Sequence, residues 1–159
     1  MITDSKIQIV EADLNQLDHA ENFLRLTAAY MSDPMGEAES WNETQKNTVV
    51  KEMKDHPCAL ILLAKADNQY VGICTCFYAY STFLAKPLLN IHDIYVDSTY
   101  RGNGVAKKLV EAVEEIAIQK GCGKITLEVR KDNLNARDLY KHKGFTEAPH
   151  SMFFWIKYL

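Results

Sequence analysis

Between Asp93 and Lys108 the sequence reads DIYVDSTYRGNGVAKK. An apolar stretch passes through a short polar loop into two glycines, Gly102 and Gly104, and then into the periodic start of a helix; Arg101 stands in front, Lys107 and Lys108 behind. Glycine lets backbone N–H groups approach a ligand closely, and the first turn of a helix leaves N–H groups unpaired under a partial positive charge. Residue types in this order make a cradle for a pyrophosphate. Walker A, Gly-x-x-x-x-Gly-Lys-Ser/Thr, does not fit, and the dinucleotide fingerprint would need a small residue where Lys107 stands.

A second segment, Leu127 to Phe145, carries Asn133, Ala136 and Tyr140 behind a strand-like run. Asn133 is placed to cap a helix and to turn its amide toward a ligand emerging between strands, and Ala136 lets that ligand pass close by. Tyr140, seven residues beyond Asn133, lies two turns along the same face. A tyrosine in such a position is otherwise a core residue with a satisfied hydroxyl.

Arg101-x-x-Gly104-x-Ala106, followed by Asn133-x-x-Ala136-x-x-x-Tyr140 and Gly144-Phe145, resembles the coenzyme A loop and later motif of the Gcn5-related N-acetyltransferase (GNAT) family. The resemblance is close over residues 88 to 147 and implies a mixed α/β fold of α+β character. Its single splayed sheet has an antiparallel central meander and four flanking helices, in one domain over residues 1–159. It implies acetyl-CoA as co-substrate in the gap between the fourth and fifth strands. Backbone groups of Ile94 and Val96, on either side of Tyr95, would pair with the pantetheine arm. Amides of Gly102, Asn103, Gly104, Val105, Ala106 and Lys107 would hold the pyrophosphate, with Arg101 at the first motif position and Asn133 and Ala136 on the far side. Tyr140 matches the general acid that protonates the departing thiolate.

The implied reaction is direct attack of a primary amine of a small molecule on the thioester in a ternary complex. Within the family, residues Leu89 to Val96, the Tyr100-Arg101-Gly102 run and Gly121-Cys122 look most like the spermidine/spermine N-acetyltransferase branch and its bacterial relatives. His92 departs from that branch, which commonly has an acid there. Amino acids, aminoglycosides and protein amino termini are alternative acceptors, and a non-catalytic acyl-CoA-binding sensor is an alternative function. The resemblance also implies a homodimer.

The base that takes the proton from the amine is either His92, whose imidazole changes charge near neutrality, or another group, with His92 then a core residue. Strict strand alternation places His92 and Asp93 on opposite faces. Asp93 would orient neighbours or bind a cationic acceptor, and Glu128 is a weaker candidate.

These residues need elements to hold them. Hydrophobic periodicity predicts a strand over Lys6–Glu11, a helix capped by Asp13 and running to Met31, and a second helix over Thr44–Asp55. Strands over Cys58–Ala66 and Tyr70–Tyr80 form a hairpin, followed by a strand over Leu88–Val96 in which Asn90, His92 and Asp93 are unexpected polar residues. A helix over Gly104–Lys120, a strand over Lys124–Val129 and a helix over Leu134–Lys143 follow, with closing strands at Phe145–Ala148 and Met152–Tyr158. The apolar Met152–Leu159 must close the sheet or bury itself against another subunit.

Composition agrees with a globular chain: 159 residues, 47% apolar, 25% charged, 7 Gly and 4 Pro. No apolar run is long enough to span a bilayer, so the sequence reads as soluble, without a signal peptide or membrane partner. Cys58, Cys74, Cys76 and Cys122 lack CxxC spacing and read as reduced thiols of a cytoplasmic protein. The histidines fall in no ligand spacing, which leaves metal without support. The net charge of −3 combines about −7 over residues 1–100 with about +4 over 101–144. The basic part is interleaved with Glu111, Glu114 and Glu115 and lacks an aromatic-rich face, against nucleic acid as a partner. Asp33, Glu37, Glu39 and Glu43 form an acidic loop past which a cationic acceptor would approach.

Overall fold

The computed structural model describes residues 7–36, 38–150 and 152–159. Its elements, in chain order, are β1 (Gln8–Glu11), α1 (Leu17–Met31), α2 (Glu43–Lys54), β2 (Ala59–Ala66), β3 (Gln69–Ser81), β4 (Lys86–Val96), α3 (Val105–Gln119), β5 (Lys124–Leu127) and α4 (Leu134–His142). The strands form one sheet in sequence order; β1 to β4 pair antiparallel and β5 joins β4 in parallel. A parallel neighbour needs a crossover, and α3 supplies it.

Both faces of the sheet are covered, which explains the unbroken apolar run of β2. Leu60, Leu62 and Ala64 pack with Leu109 and Val113 of α3, while Ile61 and Leu63 pack with Phe23 and Leu26 of α1 and against Val49 and Met53 of α2. Leu26, Leu63 and Leu109 are fully buried, and truncating one of them to alanine costs about 3 kcal/mol. The β2–β3 turn places Asp67 and Asn68 at positive φ, the conformation that a tight hairpin requires.

Three expectations are corrected. Asp13 does not cap α1: Gln16 stands at the cap position, and the Asp13 carboxylate instead accepts from Asn15 and Gln16 in the turn before it. α2, by contrast, has a full capping box between Asn42 and Gln45. β5 stops at Leu127, not Val129. No closing strands form at Phe145–Ala148 or, among the described residues, at Met152–Leu159. These segments pair with no strand, so β5 remains an edge and Phe153, Trp155 and Tyr158 stand exposed.

Candidate functional site

The fifth strand ends before the fourth. The β4–β5 ladder runs from Leu88↔Lys124 to Ile91↔Leu127, whereas β4 continues to Val96 along β3. Just before the chains part, Asn90 Nδ2 donates to Thr126 Oγ1 at 3.0 Å, which accounts for an amide inside this strand. Beyond that point the backbone orientation follows from ladder alternation. Asp97 N–H donates to the Val71 carbonyl at 2.9 Å, so Tyr95 and Asp93, in step with it, aim their backbone groups at β3. Ile94 and Val96 therefore aim theirs away from β3, into the gap.

At the end of β4 a 3-10 turn (Ser98–Tyr100) leads into the glycine loop. Gly102 has φ +77° and Gly104 φ +83°, backbone shapes that L side chains rarely adopt, and Asn103 Nδ2 holds the loop by donating to the Tyr100 and Arg101 carbonyls. Gly104 occupies the cap position of α3, and no side chain caps that end. The N–H groups of Val105, Ala106 and Lys107 thus begin the helix without intrahelical partners. Val105 is buried and anchors the helix; a Cβ on Gly72 would stand 3.1 Å from its Cγ1. Gly72 is a positioning residue that sequence reasoning missed, although a glycine inside a strand signals close approach. Lys107 lies 3.9 Å from Glu111.

From the other lip of the gap, Asn133 caps α4, its Oδ1 accepting from Ala136 N–H at 3.3 Å. Tyr140 is buried beside Phe145, with ring centroids 5.6 Å apart. Burial, reinforced by Cys74 and Tyr30, pushes its hydroxyl far above the ordinary phenol value, so it stays protonated at neutral pH.

His92 and Asp93 do not lie on opposite faces. The β3–β4 register shifts between Thr75 and Cys76, which pair with Asp93 and Ile91, leaving His92 as an extra residue. Such a bulge resets alternation: Ile91 and Ile94 both join the α3-side core, and the residues between them both turn toward α1 and α2. His92 Nε2 lies 4.0 Å from Asp93 Oδ2, and the His92 ring meets Phe77 edge-on at 5.5 Å. His56, from the end of α2, meets the same Phe77 at 5.4 Å. Burial raises the Asp93 carboxyl above 3.8, with His92 opposing. Glu128 is exposed beyond the end of β5 and joins none of these groups.

The Arg101 guanidinium donates to Asp33 Oδ2 at 2.7 Å and to the Val96 carbonyl at 2.9 Å. Asp33 is correspondingly not a loose acid awaiting a cation. Burial pushes its carboxyl up, but Arg101 and the Met35 N–H outweigh that and hold it below 3.8. Glu43 pairs with Lys46, and Glu37 lies outside the described residues. A polar surface cavity of about 360 Å³ lined by Asp18, Arg25, Asn68 and Asp97 includes none of the candidate site residues.

The fold has counterparts among known proteins. The model of the acetyltransferase (GNAT) family matches residues 20–145, and the chain belongs to that family. Thialysine N-epsilon-acetyltransferase of Bos taurus is 39% identical over 96 residues, covering 57% of this chain and 56% of that protein. The uncharacterized N-acetyltransferase YhfO of Bacillus subtilis is 27% identical over 89 residues, 56% of this chain and 60% of that protein. The chain spans little more than half the length of these curated relatives. An aminoglycoside acetyltransferase from an uncultured soil metagenomic sample, solved with sisomicin, superposes with a TM-score of 0.81 at 21% identity over 98% of this chain and 99% of that one. AAC(6')-Iy, solved with a CoA-containing bisubstrate analog, gives 0.76 at 19% identity over 95% and 98%. These likenesses confirm the splayed mixed sheet. No helix among the described residues is long and apolar enough to cross a membrane.

Proposed function

We propose that this protein transfers the acetyl group of acetyl-CoA to a primary amine of a small molecule, by direct attack in a ternary complex. One observation carries the reading: the gap-facing backbone of Ile94 and Val96 leads straight to an uncapped helix end behind Gly102 and Gly104, with a buried, protonated Tyr140 across the gap. The residues suit acetyl-CoA. The Ile94 N–H and carbonyl and the Val96 N–H match the amides of the pantetheine arm, the Val96 carbonyl being taken by Arg101, and the N–H groups from Gly102 to Lys107 with the α3 dipole match the pyrophosphate.

Acetyl-CoA supplies an activated acyl group as a thioester. His92 takes a proton from the acceptor ammonium, directly or through water, while Asp93 holds the cationic acceptor and the imidazole in place. N–H groups on the open β4 edge stabilise the carbonyl oxygen as it gains negative charge. As the C–N bond forms and the C–S bond breaks, Tyr140 gives its proton to the departing sulfur, and the second proton released by the acylated nitrogen restores the Tyr140 hydroxyl through water, while His92 passes the first to solvent. Asn133 and Ala136 shape the far wall. The acceptors named for the relatives, thialysine and aminoglycosides, are small polar molecules carrying primary amines, which supports an acceptor of that class. Release of free thiol from acetyl-CoA across a panel of polyamines, amino acids, aminoglycosides and peptides tests the proposal; coenzyme A binding without turnover on any amine would instead identify a sensor.

The protein is further proposed to act as a homodimer in the cytoplasm. Support comes from β5, an edge strand, and from the exposed Met152–Leu159 segment, an apolar stretch able to pair with such an edge on a second copy. The four free thiols suit a reducing compartment.

A further inference from the structure

The turn at Asp33–Gly36, which follows α1, is held from two sides. Arg101 reaches Asp33 and the Val96 carbonyl, and its guanidinium carbon stands 5.4 Å from the Tyr95 ring centroid. Arg130 Nη1 donates to the Pro34 carbonyl at 3.2 Å, while Nε and Nη2 fork onto Asp132 at 3.0 and 2.8 Å. Arg101 follows β4 and Arg130 follows β5, the strands that part after Ile91 and Leu127. One short turn therefore bridges the mouth of the gap, gripped by an arginine from each lip.

The turn itself has a defined shape. Asp33 Oδ1 accepts from the Met35 N–H at 2.9 Å, the Gly36 N–H donates to the Asp33 carbonyl at 2.8 Å, and a Cβ on Gly36 would collide with the Tyr30 carbonyl. Tyr30, at the root of the turn, stacks on Tyr95 with centroids 5.9 Å apart. Its hydroxyl is raised by burial and then by the charges of Asp93 and Asp33, with Arg130 opposing. The Asp33 side chain is only 13% exposed, so removing its arginine leaves a mostly buried carboxylate unpaired.

We propose that Arg101 and Arg130 clasp the Asp33–Pro34 turn, coupling occupancy of the coenzyme A loop to the shape of the acceptor side. Arg101 is then a positioning residue whose guanidinium acts through Asp33, not a ligand of the pyrophosphate. This inference rests on the acetyl-transfer reading above.

Asp33→Asn separates the two roles, because asparagine keeps the acceptor for the Met35 N–H and loses the charge that holds Arg101. The clasp predicts that Asp33→Asn and Arg101→Gln each weaken coenzyme A binding, measured by calorimetry, by about fivefold, and that the double variant is no weaker than either. A guanidinium that binds phosphate predicts the reverse for Asp33→Asn: freed from its carboxylate, Arg101 would tighten binding. Tightening, or additive losses, overturns the clasp. Hydrogen exchange on the unmodified protein covers the case in which a variant does not fold. Coenzyme A should slow exchange at the amides of residues 33–36, and unchanged exchange with coenzyme A bound overturns the coupling. Absence of any coenzyme A binding by the unmodified protein would instead sink the acetyl-transfer reading.

Discussion

His92 Nε2 lies 4.0 Å from Asp93 Oδ2, although the two residues are consecutive in β4 and ordinary alternation would separate them by the thickness of the sheet. The bulge opposite Thr75 and Cys76 brings both to the face covered by α1 and α2. In the proposed reaction, imidazole and carboxylate act there as a unit, one taking the proton of the acceptor ammonium and the other holding its charge.

That unit predicts a divided response to mutation. His92→Gln should lower kcat by about tenfold or more and flatten the pH–rate profile near neutrality, because a proton acceptor is lost. A profile of unchanged shape in this variant would leave His92 a structural residue packed on Phe77.

Asp93 gives a pH-dependent stability effect with a definite sign. Its carboxyl is raised above 3.8 chiefly by burial, so the folded state favours the protonated form. The stability this contributes is complete at pH values below the unfolded value and is lost as pH rises through the raised one. Asn stays neutral throughout. The Tm of Asp93→Asn should therefore match the parent at about pH 3.5 and exceed it at about pH 7.5, even as activity falls. A difference independent of pH would contradict the role given to burial.

Tyr140→Phe keeps the ring that packs on Phe145 and removes only the hydroxyl. Turnover should fall by about a hundredfold while coenzyme A affinity stays within about twofold, because the proton is needed only as the C–S bond breaks. Calorimetry and single-turnover kinetics check the two halves; unchanged turnover removes Tyr140 from the mechanism.

Gly102 and Gly72 should fail differently. Nothing lies within 4 Å of a Cβ on Gly102, so Gly102→Ala strains only the backbone, by about 1 kcal/mol, and should weaken coenzyme A binding through the loop. Gly72→Ala meets Val105 Cγ1 at 3.1 Å and the Tyr95 carbonyl at 3.2 Å, and should push the start of α3 off the sheet. Denaturation midpoints together with coenzyme A affinities distinguish the two.

If Met152–Leu159 pairs with a second copy, Trp155→Asp should shift the mass seen by light scattering from twice 18.1 kDa to the single-chain value. A monomer in the unmodified protein would end the homodimer reading.

Much of this was legible in the chain itself. The periodicities of β2, α3 and α4 depend on local spacing, and Gly102, Gly104 and Asn133 mark the glycine loop and the start of α4 because positive φ and helix capping are properties of single residues. The surroundings of His92 were less legible. The bulge at His92 depends on the register of β3, and the end of β5 depends on where its partner strand diverges; neither has a local signal. The closing strands fail for the same reason, since an apolar alternating segment specifies a strand but not the edge it joins.

The sequence by itself therefore determined the mixed α/β order and the glycine-led helix start, because these arise from backbone preference and hydrophobic period. Only the tertiary structure decided that His92 and Asp93 share a face and that Arg101 reaches back across 68 residues to Asp33. Strand register and long-range ion pairing depend on which surfaces the packed chain brings together, and no local pattern encodes that.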